Sequence, residues 1–465
     1  MSRSEDRAES GRLGAALFAV AVVAIGALFA AVAVSLLGGL MVGATHASSW
    51  SAAFRSALNG NRQLVAIAAF LGTYLVIAIG KLPGFQLDRT GAALLGASAM
   101  VGAGVLSLDQ AYASIDFDTI TLLLGAMIVV ANLRLSGFFG LVSARAVART
   151  RHPATLLTAI VAVTGLFSAF LVNDTICLVM TPLVLDLAFR LKRDPVPYAL
   201  AVPLASNVGS VATITGNPQN MMIGSFSHIP YGAFVGALWP VAVIGLCLTV
   251  LLIVLAYRDE FLTGARLGDV SVRAKRYHPA LAWKSVAVTL AMMALFFAGQ
   301  PIAKVAIVAG AFLLLTRKVK AEKVYREIDW PLLLMFVGLF IVVAGLEKAI
   351  LTREAMNVVG RLDFESAPIL SFITAGLSNI VSNVPAVLLL KPFIANTSDQ
   401  QQSWLVVAMA STLAGNLTLV GSVANLIVAQ RAKVEGVDID FWTHLKIGAP
   451  LTLMTIAFGA WWLGR

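Results

Sequence analysis

Four short polar segments interrupt long apolar runs in this chain, and they hold the residues best suited to chemistry. The first is Asn173-Asp174-Thr175. The second runs from Thr213 through Thr215, Gly216, Asn217, Pro218 and Gln219 to Asn220. The third is Ser382-Asn383-Val384-Pro385. The fourth runs from Asn416 through Thr418, Gly421 and Ser422 to Asn425. Gly and Pro inside an apolar helix open its hydrogen-bond ladder, and lipid offers the freed groups no partner. Protein, water or a ligand must satisfy them. Half-helix carbonyl ends attract cations and half-helix N-termini attract anions. Asn, Ser and Thr supply neutral oxygen ligands suited to Na⁺, or donors suited to an oxyanion, and Gly permits close backbone approach. All four segments are therefore candidate substrate or ion sites, with Na⁺ placed at Asn173, Asp174 and Asn383.

Asp174 is the only acid at the four breaks. A carboxylate inside a membrane costs ~2.5–3.5 kcal/mol on insertion scales, which makes it a functional hypothesis by default. It can hold Na⁺ or carry a proton. The plainer reading is a carboxylate stabilised by a helix N-terminus. Asn173 and Asn383 are expected to cap the helices that follow them, with Pro385 in its favoured first-turn place. Asp186 reads as an interfacial ion-pair partner, and Lys304 and Lys391 as lysines that reach the interface. Cys177 reads as an apolar filler rather than a soft-metal ligand. The five histidines read as loop or span-end residues without metal-ligand spacing.

The elements that must carry these segments follow from composition. The chain has 465 residues, 59% hydrophobic and 12% charged. Soluble domains carry about 25% charged residues, so a soluble enzyme, a disordered chain and a fibrous protein are excluded. The reading is an all-α polytopic membrane protein. Its net charge of +10 comes from basic residues in short loops, which set membrane orientation and give no reason to expect nucleic acid. Two cysteines allow no disulfide framework.

Spans of about 20 apolar residues fall at 13–42, 63–82, 91–107, 118–134, 197–226, 232–256, 281–299, 301–316, 331–347, 402–430 and 446–463. That makes about 11 transmembrane helices. The stretches 155–190 and 366–396 are apolar, then polar at the middle, then apolar again, and are read as two re-entrant hairpins. With the N-terminus inside, 24 of the 34 Lys and Arg fall on the inner side and 6 on the outer, as the positive-inside rule requires. Residues 143–153, 191–195 and 318–326 are expected to be cytoplasmic, and 349–363 extracytoplasmic.

The chain also repeats itself. Ile115-Asp116-Phe117 matches Ile328-Asp329-Trp330 at an offset of 213, as do Gly125 and Gly338. Ser168, Asn173 and Pro182 match Ser378, Asn383 and Pro392 at 210. Ser206, Thr213, Gly216 and Asn220 match Ser411, Thr418, Gly421 and Asn425 at 205. Each half has five spans and one hairpin, and an odd number of spans inverts the second half. The expected organisation is an N-terminal helix and loop over 1–60, repeat 1 over 61–257, a cytoplasmic linker over 258–280, and repeat 2 over 281–465. Inverted repeats with interrupted helices are the architecture of secondary transporters.

The breaks resemble those of the ion transporter superfamily. The resemblance lies in Ser168 to Thr175 followed by Thr181-Pro182, in Thr215-Gly216-Asn217-Pro218-Gln219-Asn220, in Leu377 to Pro385, and in Gly415 to Asn425. It covers about residues 63–463. The branch is the arsenite/antimonite permease, Na⁺/H⁺ antiporter and citrate-transporter-like group. The resemblance implies a homodimer, a scaffold part and a transport part in each protomer, elevator-like movement of hairpins and broken helices, and Na⁺ or H⁺ coupling near the hairpin tips. In the dicarboxylate symporter branch both tips read Ser-Asn-Thr, whereas here they read Asn-Asp-Thr and Ser-Asn-Val.

The function expected is secondary transport of a small inorganic or carboxylate anion, coupled to Na⁺ or H⁺ and needing no other cofactor. The rivals are arsenite or antimonite efflux, and Na⁺/H⁺ exchange at Asp174. A channel fits paired hairpins less well, and an enzyme lacks a nucleophile and base. No phosphate-binding loop is present, since Gly80-Lys81 is followed by Leu82. The energy is then an ion gradient, unless a separate ATPase subunit docks.

Overall fold

A computed structural model describes residues 48–79, 87–147, 150–262, 277–316, 319–350 and 364–465. The expected span over 13–42 and most of the expected linker lie outside them. The helices in chain order are α1 (Ser48–Ile79), α2 (Arg89–Gly102), α3 (Leu108–Ser114), α4 (Phe117–Leu135), α5 (Phe138–Val147), α6 (Pro153–Phe170), α7 (Asn173–Arg190), α8 (Pro195–Ser210), α9 (Pro218–Ser227), α10 (Tyr231–Ala256) and α11 (Arg258–Phe261). They continue as α12 (Pro279–Phe297), α13 (Ile302–Leu314), α14 (Ala321–Tyr325), α15 (Trp330–Ile350), α16 (Ala367–Val381), α17 (Asn383–Ile394), α18 (Gln400–Ala414), α19 (Val423–Val434) and α20 (Phe441–Leu463).

Among the described residues, six helices are long and apolar enough to cross a membrane: α1 over Arg62–Ile79, α4, α6, α10, α12 and α15. The runs 197–226 and 402–430 are not continuous helices. Each divides at its polar break, into α8 and α9 around a short turn at Ile214–Gly216, and into α18 and α19. Each half falls short of the roughly 20 residues a span needs. The runs 155–190 and 366–396 are helical pairs, α6 with α7 and α16 with α17, joined by only two residues and one residue respectively. Polarity is inverted relative to a soluble protein. Asn132, Asn207, Asn220, Asn416 and Asn425 are buried, while Phe372, Trp283, Leu315 and Leu453 are more than half exposed.

The chain forms two compact units. One contains α1, α2, α3 and α15; the other contains α4–α14 and α16–α20. Each has a helix crossing between the two repeats. In the first, α15 packs on α2, and a Cβ on Gly338 would lie 2.6 Å from the Ala93 backbone. In the second, α4 packs on α13, and a Cβ on Gly125 would lie 2.4 Å from the Ala306 backbone. Gly125 and Gly338, and likewise Ala93 and Ala306, are 213 residues apart. The same crossing thus occurs twice with the contributing halves exchanged.

Within the second unit, the first arm of each hairpin packs on the first half of its own repeat's broken helix, α6 on α8 and α16 on α18. The second arms pack on both broken helices, α7 on α8 and also on α19 of the other repeat, α17 on α18 and also on α9. This exchange carries both hairpin tips to the breaks. Gly125→Ala and Gly338→Ala, probed by thermal unfolding of the full chain, are each expected to destabilise by about 1–3 kcal/mol. A neutral or stabilising effect would mean these crossings are not in contact.

Candidate functional site

Each break is closed by one asparagine. Asn220 Nδ2 donates to the Ser210 and Thr213 carbonyls at 3.1 and 3.0 Å. Asn425 Nδ2 donates to the Gly415 and Thr418 carbonyls at 2.8 and 2.9 Å. The acceptors lie ten and seven residues upstream in both cases, so the repeat extends to individual hydrogen bonds. A buried carbonyl without a partner costs about 1–3 kcal/mol, and here a side-chain amide replaces the lost helical donors.

The breaks are then braced across the repeats. Asn207 of α8 donates to Asn416 Oδ1 at 2.9 Å and to Asn425 Oδ1 at 3.2 Å, and accepts from Ser422 Oγ at 3.2 Å. Thr412 of α18, which matches Asn207 at the 205-residue offset, accepts from Asn217 Nδ2 at 3.1 Å and Gln219 Nε2 at 3.2 Å. Asn217 and Ser422 cap α9 and α19 through their side chains. Asn207 and Thr412 carry no signal in the repeat comparison, because one is an amide and the other a hydroxyl. Their standing as polar residues within apolar runs, in the last turns of α8 and α18, is the clue that was available.

The remaining break residues are placed as follows. Thr213 Oγ1 donates to the Ala169 carbonyl at the end of α6. Thr215 bonds the Tyr231 hydroxyl at 2.9 Å. Thr418 Oγ1 meets Asn379 Oδ1 at 3.5 Å. A Cβ on Gly216 would lie 2.2 Å from the Ser210 carbonyl oxygen, and one on Gly421 would lie 3.0 Å from Asn379 Oδ1.

The hairpin tips correct the capping expectation. The cap positions are Val172 and Ser382, and neither makes a side-chain cap bond. Asn173 instead opens α7 and donates to Asn207 Oδ1 at 3.1 Å, while its carbonyl accepts from Ser206 at 3.1 Å. Ser382 takes a left-handed backbone, φ +79°, to turn the second hairpin within one residue. Asn383 lies against the fourth break, its Nδ2 3.3 Å from where a Cβ on Gly415 would be. Asn173 Oδ1 and Asn383 Oδ1 are both buried acceptors without a partner. Asp174 and Thr175 are half-buried in the first turn of α7. Among the described residues, no basic side chain pairs with Asp174. Two bare amide oxygens and a carboxylate without a basic partner are thus left at the two tips.

His444 lies at a span end as expected, but it is not a free loop residue. It is fully buried in the first turn of α20, with Nε2 3.0 Å from the Asn416 carbonyl oxygen and Nδ1 without a partner. Gly448, one turn on, makes room, since a Cβ there would lie 2.2 Å from the same oxygen. Asp186 pairs with Arg190 at 2.8 Å, and Lys391 sits 4.2 Å from the centre of the Phe226 ring. Cys177 is buried within α7. No cluster of three potential metal-ligating side chains occurs among the described residues.

A family profile described as citrate transporter matches residues 74–414. The chain belongs to the citrate transporter family. This makes it a membrane transporter within the ion transporter superfamily. It is 30% identical to a silicon efflux transporter of Oryza sativa subsp. japonica, covering 85% of this chain and 96% of that one. It is also 30% identical to an uncharacterised transporter of Mycobacterium tuberculosis, covering 86% and 98%. A putative arsB transporter of Dictyostelium discoideum is 23% identical over 80% and 86%. In fold it is similar to the YdaH transporter of Alcanivorax borkumensis, with a TM-score of 0.53 at 15% identity, covering 87% of this chain and 98% of that one.

In a continuous helix Ala is favoured over Gly by ~1 kcal/mol, whereas at these breaks a Cβ collides. Gly216→Ala and Gly421→Ala are both expected to impair transport without raising thermal stability. Gly216→Ala is expected to be the more severe, because its Cβ would lie 2.2 Å from a backbone oxygen, whereas the nearest atoms at Gly421 are 3.0 and 3.1 Å away. A higher melting temperature with unchanged kinetics would mean the helices are unbroken.

Proposed function

We propose that this transporter is gradient-driven and moves a small anion across the cytoplasmic membrane, coupled to Na⁺ or H⁺. The observation that carries the reading is the convergence of both hairpin tips on the braced breaks, with Asn173 Oδ1, Asn383 Oδ1 and the Asp174 carboxylate left for a cation. Asn, Ser and Thr donors near half-helix N-termini suit the anion. The silicon efflux and arsB-like relatives favour a small inorganic species and an outward direction. Arsenite or antimonite efflux is accordingly the second reading.

The transport step is an elevator-like movement of hairpins and broken helices. All of them belong to one compact unit, and that unit contains pieces of both repeats, as such movement requires. The working form is a homodimer with the N-terminus cytoplasmic. In this reading the coupling ion neutralises Asp174 in one state and leaves it in another, so an ATPase subunit has no necessary role.

Uptake into inside-out vesicles with arsenite, silicate, citrate and sulfate, under imposed Na⁺ and H⁺ gradients, tests the reading. Transport of any of them should follow a gradient in the parent protein. Asp174→Asn should abolish gradient-driven transport while the protein stays folded. Full activity in the Asn variant would reduce Asp174 to a helix-terminal group, since Asn serves equally well at such a position.

A further inference from the structure

Helix α16, the first arm of the second hairpin, has its polarity reversed. Ile369, Phe372 and Ile380 are exposed, whereas Ser371, Thr374 and Ser378 are at most 1% exposed. These three hydroxyls occupy positions i, i+3 and i+7, one face of the helix, and none of them has a hydrogen-bond partner. The column leads from the Ala367 end of the helix toward the tip, where Asn383 Oδ1 is also bare. Four of the unsatisfied buried polar atoms thus belong to this one hairpin.

The matched arm shares only part of this pattern. Offset by 210, α6 carries Val161, Thr164 and Ser168. Ser168 is satisfied at 2.7 Å by Ser206, and the position of Ser371 is held by an apolar valine. In the second repeat the counterpart of Ser206, Ser411, turns away to the Ala408 carbonyl at 3.4 Å, and Ser378 is left alone. Both arms leave the middle threonine without a partner, Thr164 as well as Thr374, but the first hairpin closes its tip-side serine by a direct bond while its twin leaves Ser371 and Ser378 open.

Spacing identifies the missing partner. At about 1.5 Å rise per residue, the hydroxyls stand roughly 4.5 and 6 Å apart along the axis. A single water bonded to two hydroxyls spans about 5.5 Å. Buried polar groups are satisfied by protein or by water, and polar faces in membrane helices turn toward water-filled interiors. We propose that Ser371, Thr374 and Ser378 line a file of water molecules that joins the Ala367 end of α16 to the Asn383 tip, and that the coupling cation reaches the tip along it. This inference rests on the cation-coupled reading above.

Two measurements on the full-length protein test it. The first needs no transport. With Cys177 and Cys247 replaced by Ala, single variants Ser371→Cys, Thr374→Cys and Val161→Cys are treated with the small cationic thiol reagent 2-aminoethyl methanethiosulfonate. A thiol must ionise to react, so only a hydrated one is modified readily. Ser371→Cys and Thr374→Cys should react at least about tenfold faster than Val161→Cys. Equal, slow reaction at all three would overturn the water file.

The second measurement uses Ser371→Ala, Thr374→Val and Ser378→Ala combined in proteoliposomes. The half-saturating cation concentration should rise about tenfold. An unchanged value would overturn the cation route. If the parent protein itself shows no cation dependence, the coupled reading fails, while thiol reactivity still decides whether the file exists.

Discussion

A helix opened inside hydrocarbon leaves carbonyl groups that neither lipid nor the helix can satisfy, and the rest of this structure depends on how that is met. Asn220 and Asn425 each bridge two such carbonyls. Their amide donors are committed to the opened backbone. Asn207 and Thr412 then reach from the intact half of one broken helix to the break of the other. Because the bonds are reciprocal, neither break has its observed geometry without the opposite repeat. What the frame leaves over is small and specific: two amide oxygens and one carboxylate at the tips.

The same exchange operates at larger scale. Gly125 admits the Ala306 backbone and Gly338 admits that of Ala93, so each crossing draws one helix from each repeat. The second arm of each hairpin likewise packs on the broken helix of the opposite repeat. Interlocking of this kind makes the hairpins and breaks one packed body. The departures from symmetry are then the informative places. Asp174 stands where the second repeat has Val384, and Ser371 stands where the first has Val161.

The helical class, the two hairpins, the four breaks and the repeat were legible because each leaves a local mark. The mark is an apolar run of measurable length, a polar interruption, or a Gly or Asn recurring at a fixed offset. Asn220 and Asn425 were found this way, although their role as clamps was not. Capping by Asn173 was the natural local expectation and failed because Asn207, 34 residues away, holds its amide. The full burial of His444 was not legible because sequence does not tell how deep the fourth break lies beside α20. Thr412 escaped because its repeat counterpart is an asparagine. These misses share one cause, which is that the deciding contacts join residues 28 or more positions apart in sequence.

The most direct measurement of this account is a double-mutant cycle between Asn207 and Thr412. Asn207→Ala, Thr412→Val and the double variant would be compared by their apparent affinity for the coupling cation. Distant independent sites add to within about 0.3–0.5 kcal/mol. If the crossed braces shape a single site, the two changes should be non-additive by about 1 kcal/mol or more. Simple additivity, with each residue affecting only its own break, would contradict the account.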